Sequence, residues 1–89
     1  MTIKLTAIYA ITEKHPDYKE EYNGRIFEYS DTYRFNEDIY GNDYESMLHY
    51  AINDLVLVIS GGYQFKEDYF IGAYISEDNS NTLVWNCNV

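Results

Sequence analysis

From Tyr44 to Ile59 the apolar residues fall at Tyr44, Met47, Leu48, Ala51, Ile52, Leu55, Val58 and Ile59, the i, i+3, i+4, i+7 spacing of one helix face. A helix of this span is roughly 24 Å long and must lay its stripe on a surface of similar reach. Both ends carry stop signals. Asn42 is placed to accept from the backbone N–H near Glu45 while the Glu45 side chain reaches back, a capping-box pattern, and Asp43 complements the positive helix end. Gly61-Gly62 supplies the left-handed residue that ends a helix. The segment LVLVIS, with β-branched Val56, Val58 and Ile59, would also suit a strand, but the stripe and the caps favour helix through about Ser60.

The surface for this stripe is supplied by alternating segments on both sides of it. Along Thr2 to Thr12, Ile3, Leu5, Ala7, Tyr9 and Ile11 share one face, which is the expected core face. The polar stretch EKHPDYKEEYNG then reads as a long mobile turn, because Pro16 biases His15 away from helical geometry and Asn23-Gly24 is a turn pair. RIFEYSDTYRF gives a second strand, with Arg25, Phe27 and Tyr29 alternating with Ile26, Glu28 and Ser30, and a bulge near Ser30-Asp31 before Tyr33 and Phe35. Its buried face stays open at this level. After the glycines, YQFKEDYFIGAYIS reads as a strand centred on residues 69–75 and NTLVWN as another, joined by the turn-forming SEDNSN. The expected fold is therefore α+β, a four-stranded antiparallel sheet with one helix packed on one face, order ββαββ, and the tyrosines on the other face. Residues 1–89 form a single small acidic domain in this reading, since no repeat or linker divides them.

Charge is distributed unevenly. Residues 1–34 hold six acids and five bases, whereas residues 35–89 hold nine acids and only Lys66, out of a formal net charge of −9. With 46% hydrophobic and 18% aromatic residues, the chain has far more apolar surface than a disordered acidic tail. Solubility alone is reached with interspersed charges, so the segregation asks for a second explanation. No apolar run approaches the ~20 residues of a membrane span, and no small-residue cleavage pattern follows the first strand. The expected location is the cytoplasm of a bacterial host cell, which also suits a lone cysteine.

The residue types that carry chemistry do not assemble in sequence. Cys87 has neither a glycine-rich turn nor a helix start beside it to activate the thiol, and it sits near the C-terminus where chains fray. His49 lies off the main helical stripe, where a histidine is ordinarily a surface residue, and His15 precedes a proline in a loop. Neither has a second histidine at ligand spacing, and neither NEDIYGND nor SEDNSN follows the order of a calcium loop, so no metal and no cofactor is expected. The acid pairs Glu20-Glu21, Glu37-Asp38, Glu67-Asp68 and Glu77-Asp78 fall in expected loops, where water keeps both members charged. A non-enzyme is expected, with no catalytic residues. Basic patches are missing, which argues against direct DNA or RNA binding.

What remains is an acidic, tyrosine-rich surface. The expected partner-binding residues are Glu37, Asp38, Tyr40, Asp43, Glu45, Glu67, Asp68, Glu77 and Asp78, with Tyr33, Tyr40 and Tyr50 exposed. Carboxylates held along a rigid ridge present to a basic groove the kind of charge that phosphates present. Tyrosines add stiff aromatic faces that stack on arginine. The functional expectation is thus a non-catalytic inhibitor, a DNA mimic that blocks the groove of a basic nucleic-acid-binding protein such as a nuclease or a defence protein. In charge and size the chain is analogous to phage-encoded anti-restriction and anti-CRISPR proteins. Two alternatives stand beside it: an immunity or antitoxin-type protein that covers a basic nuclease outside its groove, and a small acidic adaptor domain. Exposed strand edges also offer a route to a homodimer.

Overall fold

Alternation along the N-terminal segment produces β1, Thr2–Ile11, whose odd residues Ile3, Leu5, Ala7 and Ile11 are buried. In this computed structural model, which describes residues 1–89 except Tyr63, Asn88 and Val89, the following elements are β2 (Phe27–Arg34), α1 (Glu37–Tyr40), α2 (Tyr44–Ile59), β3 (Phe70–Glu77) and β4 (Thr82–Cys87). Tyr63, at the head of the expected third-strand segment, lies outside the described residues. The four strands form one antiparallel sheet in the order β2-β1-β3-β4, with helix on one face, as the alternation and the stripe together require.

Strand β1 is central, and its ladder with β2 runs from Thr2↔Arg34 to Tyr9↔Phe27 without a break. The bulge expected at Ser30-Asp31 is therefore absent from this ladder. Both polar residues are satisfied within a regular strand: Ser30 Oγ lies 2.8 Å from Thr6 Oγ1, and Asp31 Oδ1 accepts from the Thr32 N–H at 2.8 Å. Register shifts occur instead at Ala10/Ile11 against β3 and at Ile75/Ser76 against β4. The register assigns the face of β2 that the sequence left open. Phe27, Tyr29, Asp31 and Tyr33 lie on the helix side, opposite Tyr9, Ala7, Leu5 and Ile3.

Helix α2 buries Met47, Ala51, Ile52, Leu55, Val56 and Ile59 against β1 and against Phe70, Ala73 and Ile75 of β3. Two of its details depart from the expected ones. The cap is Asp43 rather than Asn42: Asp43 Oδ1 accepts from the Ser46 N–H at 3.1 Å and its Oδ2 from the Ser46 hydroxyl at 2.8 Å. The helix thus starts one residue later than a cap at Asn42 would set it, and Ser46 takes the place expected of Glu45. Val58 is 39% exposed at a groove beside Tyr9, Tyr22 and Phe27, while Val56 is buried in its stead. Helical period defines the apolar arc, but where that arc is centred on the sheet depends on packing. At the far end the Gly62 N–H donates to the Leu57 carbonyl and the Gly61 N–H to the Val58 carbonyl, each at 2.9 Å, with both glycines at positive φ. This paired arrangement is the glycine stop that the sequence signals.

Tyrosines do not collect on the open face of the sheet. Tyr9 and Tyr33 lie on the helix side and pack on the core, Tyr29 lies on the same side but is 40% exposed, and among the described strand residues Tyr74 is the tyrosine on the open face. The long connection from β1 to β2 is also less free than its composition suggests. Glu20–Tyr22 form a 3-10 turn, and His15 is buried against Tyr69 and Phe70. Among the described residues no helix is long and apolar enough to cross a membrane.

Candidate partner-binding surface

Topology gathers most of the singled-out acids at one end of the sheet. Strand β2 runs into α1 beside the start of β1, where the Phe35 N–H donates to the Met1 carbonyl, and α2 begins at the same end. Glu37 and Asp38 occupy the first turn of α1 and Tyr40 its last residue, Asp43 caps α2, and Glu45 lies in the first turn of α2. The end of β3 arrives there too, because the Asp78 N–H donates to the Lys4 carbonyl and the Tyr44 hydroxyl donates to Glu77 Oε2. Glu37, Asp38, Asp43, Glu45, Glu77 and Asp78 therefore share one end, where Lys4 and Arg34 are the basic side chains among the described residues.

Glu67 and Asp68 are elsewhere. They form the 3-10 turn before β3, where the Thr12 hydroxyl donates to the Asp68 carbonyl at 2.6 Å and Lys14 Nζ lies 3.7 Å from the Asp68 carboxylate. Eight residues of β1 separate the two ends, about 26 Å of extended chain. The expected set of nine residues is thus two groups that cannot meet one small partner patch together.

Within the first group the carboxylates differ in freedom. Glu77 is half-buried and accepts from Tyr44 and from the Ser80 hydroxyl at 3.3 Å. Asp78 accepts from the Thr6 hydroxyl at 2.7 Å and lies 3.6 Å from Lys4 Nζ. Both are occupied in holding β3 to β1 and α2. Asp43 is committed to its cap, and those bonds from Ser46 hold its carboxyl below the usual aspartate value. Glu37 faces the Met1 amino group at 3.7 Å, yet its side chain stays 63% exposed. Asp38 and Glu45 are exposed and make no salt bridge among the described residues.

An aromatic knob rises beside these acids. Phe35 is buried and receives Tyr40 and Tyr50 edge-on, with ring centroids 5.3 Å and 5.9 Å away. Tyr40 and Tyr50 are exposed as expected, but Tyr33 is not: it packs on the core and its hydroxyl donates to Asp54 Oδ2 at 2.9 Å. The sequence reading missed Ile39, which is 74% exposed between Asp38 and Tyr40. Its signal was an isoleucine set in a run of acids where no strand or long helix needs it.

Burial first, then the neighbouring carboxylates, raises the Tyr33 and Tyr44 phenols above the ordinary tyrosine value of 10.0, Tyr44 to about 12. A raised pKa favours the protonated phenol in the folded chain, so its contribution to stability is complete below pH 10 and is lost as pH rises towards 12. The difference in urea unfolding free energy between the wild type and Tyr44→Phe is expected to be constant to about pH 10 and to shrink above it. A difference that grows with pH contradicts the Tyr44–Glu77 bond.

Other constellations do not combine into a reacting set. Cys87 is buried at the end of β4 opposite Ala73 rather than fraying, and burial, with the Glu67 charge, pushes its thiol pKa up. His49 is exposed on α2. A groove of about 150 Å³ opens between Tyr9, His15, Asp17, Tyr22 and Phe27, but both ring nitrogens of His15 face backbone groups. Among the described residues no three His, Cys, Asp or Glu side chains are placed to hold a metal ion. Comparison with protein families, curated proteins and solved structures gives no significant match to this chain.

Proposed function

We propose that this protein is a non-catalytic inhibitor that imitates nucleic acid, acting in the cytoplasm of a bacterial cell on a basic nuclease or defence protein. The observation that supports this reading most is the end of the sheet where Glu37, Asp38 and Glu45 stand exposed around Ile39, Tyr40 and Tyr50, with few basic side chains near them. Carboxylates there attract a cationic groove at long range, and the attraction weakens as salt screens it. Ile39 and the tyrosines supply a desolvated centre for contact with arginine and apolar groove walls. Short, capped helical turns fix the acids, so little ordering remains to be done on binding.

The partner is sought by passing a bacterial lysate over the immobilised protein at low salt, eluting with a salt gradient and identifying what is retained. A basic nucleic-acid-binding protein is expected, and duplex DNA or RNA is expected to release it. Retention unaffected by nucleic acid points to neutralisation beside the groove instead. Paired Glu37→Lys and Asp38→Lys substitutions are expected to abolish retention, whereas Glu67→Lys with Asp68→Lys leaves it nearly unchanged because that pair lies at the opposite end. Retention indifferent to the first pair defeats the assignment.

A further inference from the structure

Strand β2 is an edge of the sheet, and no strand pairs with its outer side among the described residues. The Met1 amino group donates to the Phe35 carbonyl while the Phe35 N–H donates to the Met1 carbonyl, which sets the parity of the unbroken ladder beside it. Odd residues of β2 therefore bond to β1, and the N–H and C=O groups of Glu28, Ser30, Thr32 and Arg34 turn outwards. A regular edge of eight residues is a template for another strand. The opposite edge is a poorer one, because β4 has six residues and its pairing with β3 shifts register at Ile75/Ser76.

The order of side chains along β2 says which strand fits. When a second β2 is laid antiparallel beside the first about a two-fold axis at Asp31, outward-facing residues meet outward-facing residues: Glu28 against Arg34 and Ser30 against Thr32, each twice. Between them Tyr29 meets Tyr33 on the helix side. Opposite charges and aromatic pairs in directly facing positions are the contacts that stabilise a sheet. Moving the second strand by two residues either way sets Glu28 against Thr32 or Asn36 and leaves both charges unpaired. In the single chain Glu28 and Arg34 are exposed, and neither makes a salt bridge among the described residues. Charge agrees with this choice of edge. Residues 25–34 hold two arginines against Glu28 and Asp31 and are neutral within a chain of net charge −9, whereas no Lys or Arg follows Lys66 in the segment that carries β4.

We infer that the outer edge of β2 is a homodimer interface, where the β2 of a second copy pairs about a two-fold axis at Asp31 to make one eight-stranded antiparallel sheet. Side chains of one face stay on one face, so both copies of α2 cover the same side. They do not collide. Helix α2 packs mainly over β1, and the two β1 strands lie three strand spacings apart, ~14 Å, against the roughly 8–10 Å that packed helices need. The acidic turn after β2, Glu37-Asp38, comes to the end where Arg25 precedes the second copy's β2, so the like-charged turns stay apart. Asp31 limits the affinity. Its Oδ1 holds the outward Thr32 N–H at 2.8 Å, which the second strand needs, and its carboxylate meets its own counterpart across the axis. The dimer is accordingly weak and reversible, in keeping with a small edge contact.

Sedimentation equilibrium on the full chain, carried to millimolar concentration, tests this. The wild type is expected to dimerise reversibly. Glu28→Arg and Arg34→Glu each set like charges against each other twice and are expected to weaken the dimer more than about tenfold, although the first lowers the net negative charge. The double variant, with the two charges exchanged, is expected to recover wild-type affinity. Asp31→Asn removes the charge at the axis and is expected to tighten the dimer about fivefold. Leu83→Arg, on β4, is expected to leave it unchanged. Glu28 and Arg34 are exposed, and far-UV circular dichroism verifies the fold of each variant. Recovery by the double variant carries the inference, because six residues of extended strand, about 20 Å, keep the two side chains apart within one chain. A wild type that stays monomeric throughout, a dimer indifferent to both reversals, or a double variant as weak as the single ones overturns it.

Discussion

Phe70→Ala is expected to remove about 3–5 kcal/mol of folding stability, a large share of the ~5–15 kcal/mol typical of a single domain. Phe70 is fully buried at the first position of β3, where the pairing with β1 shifts register opposite Ile11. Its ring is stacked on Phe65 at 5.5 Å and meets Tyr9 and His15 edge-on at 6.1 Å and 5.7 Å. The side chain thus joins the central strand, the loop after it and the segment that leads from α2 into β3. Truncation leaves a cavity that no single neighbour can fill, because those neighbours sit on different elements. Urea unfolding followed by circular dichroism measures the change. A loss below about 1 kcal/mol shows that the site collapses freely and that this corner is not packed as described.

His15→Ala is the second large effect, at about 2–3 kcal/mol. His15 is 5% exposed, and its Nδ1 accepts from the Asp17 N–H at 3.0 Å. That bond leaves the ring proton on Nε2, which lies 3.4 Å from the Ile59 carbonyl oxygen in the last turn of α2. The ring also meets Tyr69 edge-on at 5.4 Å. Alanine therefore removes packing and leaves a helix-terminal carbonyl without its donor. Asparagine at this position can still accept from the Asp17 N–H, so His15→Asn is expected to recover the turn but not the link to the helix. Limited proteolysis separates the two effects: cleavage between residues 13 and 26 is expected to accelerate in His15→Ala and much less in His15→Asn. Equal cleavage of the wild type and His15→Ala removes the assigned role.

The acidic end shows how far sequence reasoning carries a site. Segregated charge singles out Glu37, Asp38, Asp43 and Glu45 because they are close in the chain, and local helical turns keep such neighbours close in space. Glu67-Asp68 and Glu77-Asp78 look alike in sequence, as acid pairs flanking the third strand. A strand carries its two ends to opposite sides of the molecule, so one pair joins the cluster and the other cannot. Within the cluster, Glu77 and Asp78 are bound to Tyr44, Thr6 and Lys4 by contacts across elements that no spacing rule reveals.

Local patterns were sufficient for α2, for its glycine stop, for the core face of β1 and for the order ββαββ, because each depends on a periodicity or a backbone preference contained within a few residues. Tertiary structure alone decided which face of β2 is buried, that His15 leaves the solvent, that Val56 replaces Val58 in the core, and that Ile8 and Tyr74 stay exposed on the open sheet face. Those outcomes depend on which distant surface each side chain meets. That choice is made by the packing of the whole chain, where burial of one face is settled only when every competing face has found or lacked a partner.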